Sequence, residues 1–197
     1  MTIQVKLLPA RSFRGVAGLN DMLLAAQSRH FSDDEYDRYL EMLPDQKHRV
    51  AAARDLMSHE EMIVKRTVLE IMQLYPYQRF HVRAPEKCIR DVTYISIYST
   101  HAMLVNDNQW YKDKLLYWFR TMLQSFNFPP IAVDKKGFNR YSELSTRASA
   151  KSDHIASIYD TYSRLRLSYQ QVLQPESWRL LDEPLQVAVD VLTLTHR

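Results

Sequence analysis

The stretch PEKCIRDVTYISIYSTHAMLV, residues 85–105, predicts a long helix at the centre of the fold. Pro85 suits the first turn of a helix, where its missing backbone N–H loses no hydrogen bond. The apolar side chains of this stretch would point to nearly all sides of the helix, which is typical of a buried helix. They are Ile89, Val92, Ile95, Ile97, Tyr98 and Met103. We therefore expect the other helices to pack around this one.

Upstream of this stretch, capping signals and apolar residues at helical spacing predict four helices. The first starts at Asn20. The second follows Ser32-Asp33-Asp34-Glu35, which has the S-x-x-E form of a capping box, and it runs to Leu43. Residues 45–74 predict two helices in series, because Ser58-His59-Glu60-Glu61 offers another capping box between two apolar sets.

Downstream, the sequence stays helical. Asn106-Asp107 caps an aromatic-rich helix that Pro129-Pro130 ends. We expect the stripe of this helix to lie in the core; it comprises Trp110, Leu115, Trp118, Phe119, Met122 and Phe126. A shorter helix at 138–150, a longer one at about 152–173 and a last short one at 185–194 follow. Because no alternating strand pattern is longer than IQVKLL, the predicted fold class is all-α.

The composition of the 197-residue chain is that of a globular protein, with 46% hydrophobic and 25% charged residues. Only 3 glycines argue against dinucleotide-binding fingerprints and phosphate-binding loops. The 26 basic and 23 acidic residues are interleaved, so we expect no nucleic-acid partner. Neither a membrane-spanning apolar run nor a signal-peptide stretch is present in the sequence, and we expect a soluble protein of the reducing cytosol.

Charged residues surround Cys88, the single cysteine of the chain. On a helix, Asp91 lies one turn above Cys88 on nearly the same side, Lys87 faces Asp91, and Arg90 is turned well away. Such a set can hold an amphiphilic ligand, with the thiol as covalent tether and the carboxylate as acceptor of N–H donors. The alternative is a buried free cysteine beside a solvated charged face. The spacing alone leaves both interpretations open.

Three sequence motifs carry a resemblance to a known family. Cys88-Ile89-Arg90-Asp91 followed by Val-Thr-Tyr matches the bilin-attachment motif C-x-R-D-x-x-Y of phycobiliproteins, the light-harvesting subunits of cyanobacteria. Upstream, Arg29-His30-Phe31-Ser32-Asp33-Asp34-Glu35 resembles the turn between the first two helices of that family. Leu74-Tyr75-Pro76-Tyr77 resembles the segment before its chromophore helix. The motifs stand in family order, and the resemblance covers about residues 18–173.

This resemblance implies a globin-like helical bundle, residues 18–173, that includes an N-terminal helical hairpin over residues 20–43. An N-terminal arm, residues 1–17, would precede it, and a C-terminal extension, residues 174–197, would follow it. These boundaries are expectations from the family pattern.

The resemblance also implies a cofactor, a linear tetrapyrrole joined by a thioether to Cys88, with phycocyanobilin as the expected pigment. Asp91 would bind the inner pyrrole N–H groups, and Arg90 and Lys87 would lie near the propionates. Tyr94 completes the motif and is included among the expected bilin-binding residues.

Some features depart from the family pattern. Tyr94 is followed by Ile95-Ser96-Ile97 in place of the usual Leu-Arg, so one basic contact is missing. Asn106-Asp107-Asn108 replaces the glycine-containing turn after the chromophore helix. The chain is also slightly basic, with a formal net charge of +3, whereas typical members are acidic. The departures favour a divergent, allophycocyanin-like member.

The predicted function is that of a bilin-carrying light-absorbing protein, in photosynthetic light harvesting or in photosensing, and not that of an enzyme. The alternative is a chromophore-free globin-like interaction or regulatory protein that binds phycobilisome components or a signalling partner. Haem binding through His101, with His81 and His30, is disfavoured, because His101 lies on the bilin helix and a lone histidine is more often a packing residue.

The hairpin, residues 20–43, is the expected contact for a second copy of the chain or for a phycobiliprotein-like heteropartner. We expect it to expose Met22, Leu23, Tyr36, Tyr39, Leu40 and Met42. Arg29 and residues 33–35 would form charge pairs across the subunits. Phycobilisome components and a bilin lyase are further expected partners. The expected location is the cytoplasm, at the cytoplasmic face of the thylakoid membrane.

Overall fold

The computed structural model describes residues 12–75, 83–125 and 147–194, and within these ranges the chain is helical without strands. The all-α prediction is therefore confirmed. The helices are α1 (Leu19–Ala25), α2 (Asp33–Met42), a 3₁₀ turn (Pro44–Gln46), α3 (Lys47–Leu74), α4 (Ala84–Val105), α5 (Asn108–Tyr111), a π-helical turn (Lys112–Leu116), α6 (Tyr117–Ser125), α7 (Arg147–Val172) and α8 (Pro175–Thr193).

Helix α4 is the central helix that the sequence predicts. Every residue from 95 to 105 is buried, and the helix packs against α3 and α8. Its buried hydroxyl groups are satisfied, since the Thr100 hydroxyl donates to the Ser96 carbonyl at 3.0 Å. The Ser96 hydroxyl lies 2.9 Å from the Tyr169 hydroxyl on α7.

The prediction of two separate helices within residues 45–74 is wrong, because α3 is one continuous helix of 28 residues. The Ser58 hydroxyl does not cap a new helix. It donates to the Asp55 carbonyl at 2.7 Å, in the preceding turn of the same helix. Neither glycine nor proline interrupts this part of the sequence.

The last helix is also longer than predicted. The expected helix at 185–194 is instead the final part of α8, which begins at Pro175 and is 19 residues long. Pro184 lies inside it and is buried. One face of α8 is buried against α3, α4 and α7, through Leu181, Leu185, Ala188 and Leu192. This part of the chain therefore contributes to the core of the bundle.

The capping box at the start of α2 is confirmed. The Ser32 hydroxyl accepts a hydrogen bond from the Glu35 backbone at 3.4 Å, and the Glu35 carboxylate accepts one from the Ser32 backbone at 2.8 Å. These two bonds satisfy backbone N–H groups that a helix start otherwise leaves unpaired. Gly18, with φ +81°, precedes α1 in a left-handed conformation that suits glycine.

The expectation that the hairpin exposes its apolar residues is wrong. Met22, Leu23, Tyr36 and Tyr39 are buried in the core of the same chain, and Leu40 and Met42 are half-buried against it. Helices of 7 and 10 residues are marginal on their own, so this packing is what stabilises α1 and α2.

Charged residues of the hairpin, which are predicted to pair across subunits, form ion pairs within the chain. The Arg29 guanidinium donates to both carboxylate oxygens of Glu35, at 2.6 and 2.9 Å. His30 Nε2 lies 2.9 Å from the Glu60 carboxylate, which joins the hairpin to α3. Asp33 accepts a hydrogen bond from Arg54 at 2.7 Å.

Three other parts of the chain meet at the C-terminal end of α4. The last four carbonyls of a helix have no partner within it, and here each accepts a hydrogen bond from elsewhere. The pairs are Asp107 N–H to Ala102 (3.0 Å), Asn106 N–H to Met103 (3.2 Å), Tyr39 O–H to Leu104 (2.8 Å) and Phe13 N–H to Val105 (2.8 Å). The Arg49 guanidinium also donates to the Met103 carbonyl. Hence the arm, the hairpin and α3 all meet at this end.

The turn after α4 functions without glycine. Asn106 has φ 54°, in the left-handed region that asparagine tolerates better than most residues. Asp107 caps α5 as predicted, because its carboxylate accepts a hydrogen bond from the Trp110 backbone at 2.9 Å. The Ser12 hydroxyl donates to the same carboxylate at 2.9 Å, and Arg14 lies 3.4 Å from it.

The predicted aromatic helix is divided by the π-helical turn between α5 and α6. Trp110, Leu115 and Phe119 are buried as expected. Trp118 is 63% exposed, so its predicted place in the core is wrong. A π-helical turn includes one residue more than an α-helical turn and rotates the side chains that follow it.

The boundary predicted between helices at 138–150 and 152–173 is wrong, because α7 runs without a break from Arg147 to Val172. Several predictions concern residues that the structure does not describe. They involve most of the arm, the Pro129-Pro130 break, Phe126, residues 138–146, Tyr77 and His81. On α7 one face is buried, through Ile158, Tyr162, Leu165 and Tyr169.

Candidate functional site

Cys88 lies in the second turn of α4, after Arg83, whose φ of 57° sets the start of the helix. The side chain is half-buried and packs against the core. Burial raises the pKa of the Cys88 thiol to about 12, and the negative charge of Asp91 acts in the same direction. At neutral pH the sulfur is therefore a protonated thiol, which is a weak nucleophile.

Asp91 lies one turn after Cys88 and is 16% exposed. Burial raises the pKa of the Asp91 carboxyl, while Arg90 and Lys87 oppose that shift. The expectation that Arg90 turns well away is wrong, because its Nη2 and Nε donate to Asp91 Oδ1 at 2.6 and 2.8 Å. The long arginine side chain folds back along the helix surface, although the two Cα positions differ by about 100° in direction.

Both bonds from Arg90 go to the same oxygen of Asp91. Among the described residues, none donates a hydrogen bond to Asp91 Oδ2. The Oδ2 atom therefore remains available as an acceptor on a side chain that is only 16% exposed.

Lys87 and Tyr94 complete the predicted set. Lys87 is exposed, and its positive charge lowers the pKa of Asp91 across one helical turn. Tyr94 is half-buried and packs against the core. The structure thus places Cys88, Asp91, Arg90 and Lys87 together on the first turns of α4, with Tyr94 one turn further on.

Sequence reasoning missed Tyr162 on α7. The residue is 4% exposed, and burial raises its pKa well above 10, with the charges of Cys88 and Asp91 adding to the shift. Its ring meets Phe119 of α6 edge to face, with the centroids 6.4 Å apart. Tyr162 and Phe119 therefore form a buried aromatic pair between α6 and α7, and Tyr162 is close enough to Cys88 and Asp91 for their charges to act on it. The apolar spacing of α7 predicts that Tyr162 is buried but not which helix it meets.

Two further kinds of site, a haem site and a metal site, were considered for the described residues. His101 is completely buried, and its ring is packed among Phe31, Tyr98 and Trp110, which agrees with the packing role expected from the sequence. In the part of the chain that the structure describes, no group of three or more histidine, cysteine, aspartate or glutamate residues could hold a metal ion. The helices described there include none that is long and apolar enough to cross a membrane.

Comparison with known proteins gives one family. The family model for phycobilisome proteins matches residues 24–160, which is more than half of the chain and includes the Cys88 site. No curated protein sequence matches the chain.

Proposed function

The chain belongs to the phycobilisome protein family, whose fold is a globin-like all-helical bundle, and from this premise we propose that it carries a bilin on Cys88. Members of the family generally bind bilin chromophores and act as pigment proteins without enzymatic activity. A bound linear tetrapyrrole would supply absorption of visible light. The function proposed for this chain is light harvesting or photosensing.

The observation that supports this proposal is the pairing of one thiol with one incompletely satisfied carboxylate on the same face of α4. Cys88 offers a single attachment point, and Asp91 Oδ2 offers an acceptor for pyrrole N–H groups. Hydrogen bonds to a charged acceptor are about twice as strong as neutral ones, so Asp91 can hold ring N–H groups coplanar. The buried pair of Tyr162 and Phe119 would supply apolar surface to the pigment, since the charges of Cys88 and Asp91 act on Tyr162.

Arg90 and Lys87 have distinct proposed roles. Arg90 binds Asp91 in this structure and is 54% exposed, so it can pair with a propionate through the guanidinium donors that Asp91 leaves unused. Lys87 is exposed at the edge of the site and supplies a second positive charge. Two cations would balance the two carboxylates of a bilin beside the partly buried Cys88 and Asp91, where unpaired charges would be unfavourable.

The protonation state of the Cys88 thiol affects the rate at which a bilin can attach to it. A pKa of about 12 leaves very little thiolate on Cys88 at neutral pH. We therefore expect spontaneous attachment to be slow and a bilin lyase to be a partner of the chain.

A chromophore-free interaction protein is the second candidate. The observation that favours it is the closed pair of Arg90 and Asp91, which neutralises the carboxylate without a ligand. In this case phycobilisome components or a signalling partner would bind the bundle. Family members typically oligomerise and assemble into phycobilisomes, and the proposed location remains the cytoplasmic face of the thylakoid membrane.

The hairpin, residues 20–43, stays a proposed contact for a second copy or for a phycobiliprotein-like heteropartner. Because Leu23, Tyr36 and Tyr39 are buried in the same chain, the contact would use its outer face. Leu24, which is 45% exposed, lies on that face.

The test is production of the chain in cells that make phycocyanobilin and bilin lyases, followed by absorption spectroscopy and zinc-enhanced fluorescence on a denaturing gel. We expect pigment that survives denaturation in the natural chain and none in Cys88→Ala. Val187→Ala, a half-buried position on α8, is the control and should keep its colour. A colourless natural chain that still binds phycobilisome components would instead support the second candidate.

A further inference from the structure

His101 occupies an unusual position for a titratable side chain. It lies on α4, is completely buried, and has three aromatic rings around its imidazole. The ring centroids of Phe31, Tyr98 and Trp110 lie 5.1, 6.1 and 6.2 Å from that of His101. Phe31 belongs to the connection between α1 and α2, so the histidine lies where the hairpin meets the bundle.

The imidazole has no polar partner in this setting. Neither Nδ1 nor Nε2 of His101 forms a hydrogen bond with the residues in ranges 12–75, 83–125 and 147–194. A protonated ring would hold two N–H donors and a positive charge without an acceptor in the described part of the chain. Burial is accordingly the main cause that lowers the pKa of His101 to about 3.

The hairpin is the element that can respond to a charge on this ring. Its helices of 7 and 10 residues are too short to be stable alone. Water can reach a protonated His101 when Phe31, now 2% exposed, moves away from the ring. Local opening of a short element needs less free energy than unfolding of the whole bundle.

We propose that His101 is a proton-sensitive latch, which holds the α1–α2 hairpin on the bundle when neutral and releases it when protonated. Release would uncover the apolar face of the hairpin, which includes Leu23, Tyr36 and Tyr39. The chain would thus expose a new association surface under acidic conditions.

The neighbouring charges modify the latch in both directions. His30 and Arg29 disfavour a positive charge on His101, whereas the Glu35 carboxylate favours it. Glu60, on α3, lies 2.9 Å from His30 Nε2 and is the acidic group of that helix nearest to the hairpin connection. Tyr98, on α4 itself, carries no charge at acidic and neutral pH, since the ordinary pKa of tyrosine is about 10 and burial raises the pKa of Tyr98 further. The burial of His101, and not a single ion pair, therefore decides that protonation favours the open hairpin.

The sign of the pH effect follows from the two states. An open hairpin exposes His101, which then binds a proton when the pH falls below its ordinary pKa of 6.5. In the closed state burial lowers the pKa of His101, which binds a proton only when the pH falls to about 3. Lower pH therefore favours the open state, and the opening equilibrium constant rises about tenfold per pH unit within this window.

Amide hydrogen exchange, corrected for the intrinsic pH dependence of exchange, tests the proposal on the full chain. From pH 6 to pH 4 we expect the protection of the α1 and α2 amides to fall about a hundredfold, while the α8 amides keep theirs. His101→Leu should remove this pH dependence. His48→Gln, which removes an exposed histidine, should retain it.

A second measurement applies even if His101→Leu does not fold. Nitrogen-15 NMR of labelled histidines in the natural chain reports the protonation of His101 directly. A ring that stays neutral at pH 5 while the hairpin remains closed agrees with the latch. A His101 that titrates near pH 6.5 in the closed chain overturns it, as does hairpin protection that is independent of pH between 6 and 4.

Discussion

Replacing Tyr39 by phenylalanine removes one hydroxyl group and should lower the free energy of unfolding by about 1–2 kcal/mol. The hydroxyl donates to the Leu104 carbonyl at 2.8 Å in a buried setting. This carbonyl belongs to the last turn of α4 and has no partner within the helix. The loss therefore combines one net hydrogen bond with part of the penalty for an unsatisfied buried acceptor.

Urea unfolding measured by circular dichroism provides the assay. For a chain of this length the change corresponds to a melting temperature lower by about 2–8 °C, with an unchanged dependence of stability on urea concentration. Tyr159→Phe is the matched control, since Tyr159 is 52% exposed, and it should alter stability by less than about 0.5 kcal/mol. Equal stabilities of the two variants would refute the claim that Tyr39 joins the hairpin to α4.

Three further predictions concern the site and the hairpin. Asp91→Asn should leave thioether formation intact but shift bilin absorption to the blue and reduce fluorescence. An unchanged spectrum would show that a group other than Asp91 binds the pyrrole N–H groups. The Arg29 pair lowers the pKa of Glu35 from 4.5 to about 2, so its stabilisation is present above pH 4.5 and is lost as the pH falls towards 2. The stability difference between the natural chain and Glu35→Gln in urea should shrink accordingly, and a constant difference would argue against the pair. Tyr36→Asp should remove the hydrogen-exchange protection of α1 and α2 whereas Leu24→Asp should not, and intact protection in Tyr36→Asp would show that the hairpin does not depend on its core contacts.

Local signals in the sequence predicted the features that depend on neighbouring residues. The capping box at Ser32, the cap at Asp107 and the buried helix α4 are of this kind, because the residues that determine each are a few positions apart. The sequence likewise predicts that Lys87, Arg90 and Asp91 surround Cys88 on one helix, and the structure places them on adjacent turns of α4.

Features that depend on distant contacts were not predictable in the same way. Ser58 and Glu61 fit a capping box, but the serine hydroxyl bonds back to Asp55 and α3 continues. The apolar residues of the hairpin are another example, because the sequence does not distinguish packing against a partner from packing against the core of the same chain. The influence of the charges of Cys88 and Asp91 on Tyr162 joins residues of two helices about 70 positions apart in the chain, for which the sequence carries no local signal.

The mass of the peptide that contains Cys88 tests the bilin proposal most directly. Trypsin cuts after Lys87 and Arg90, which isolates the peptide Cys88-Ile89-Arg90. For protein purified from cells that make phycocyanobilin and bilin lyases, we predict that this peptide carries the added mass of one tetrapyrrole and absorbs visible light. Recovery of the peptide with a free thiol and no pigmented form would contradict the proposal.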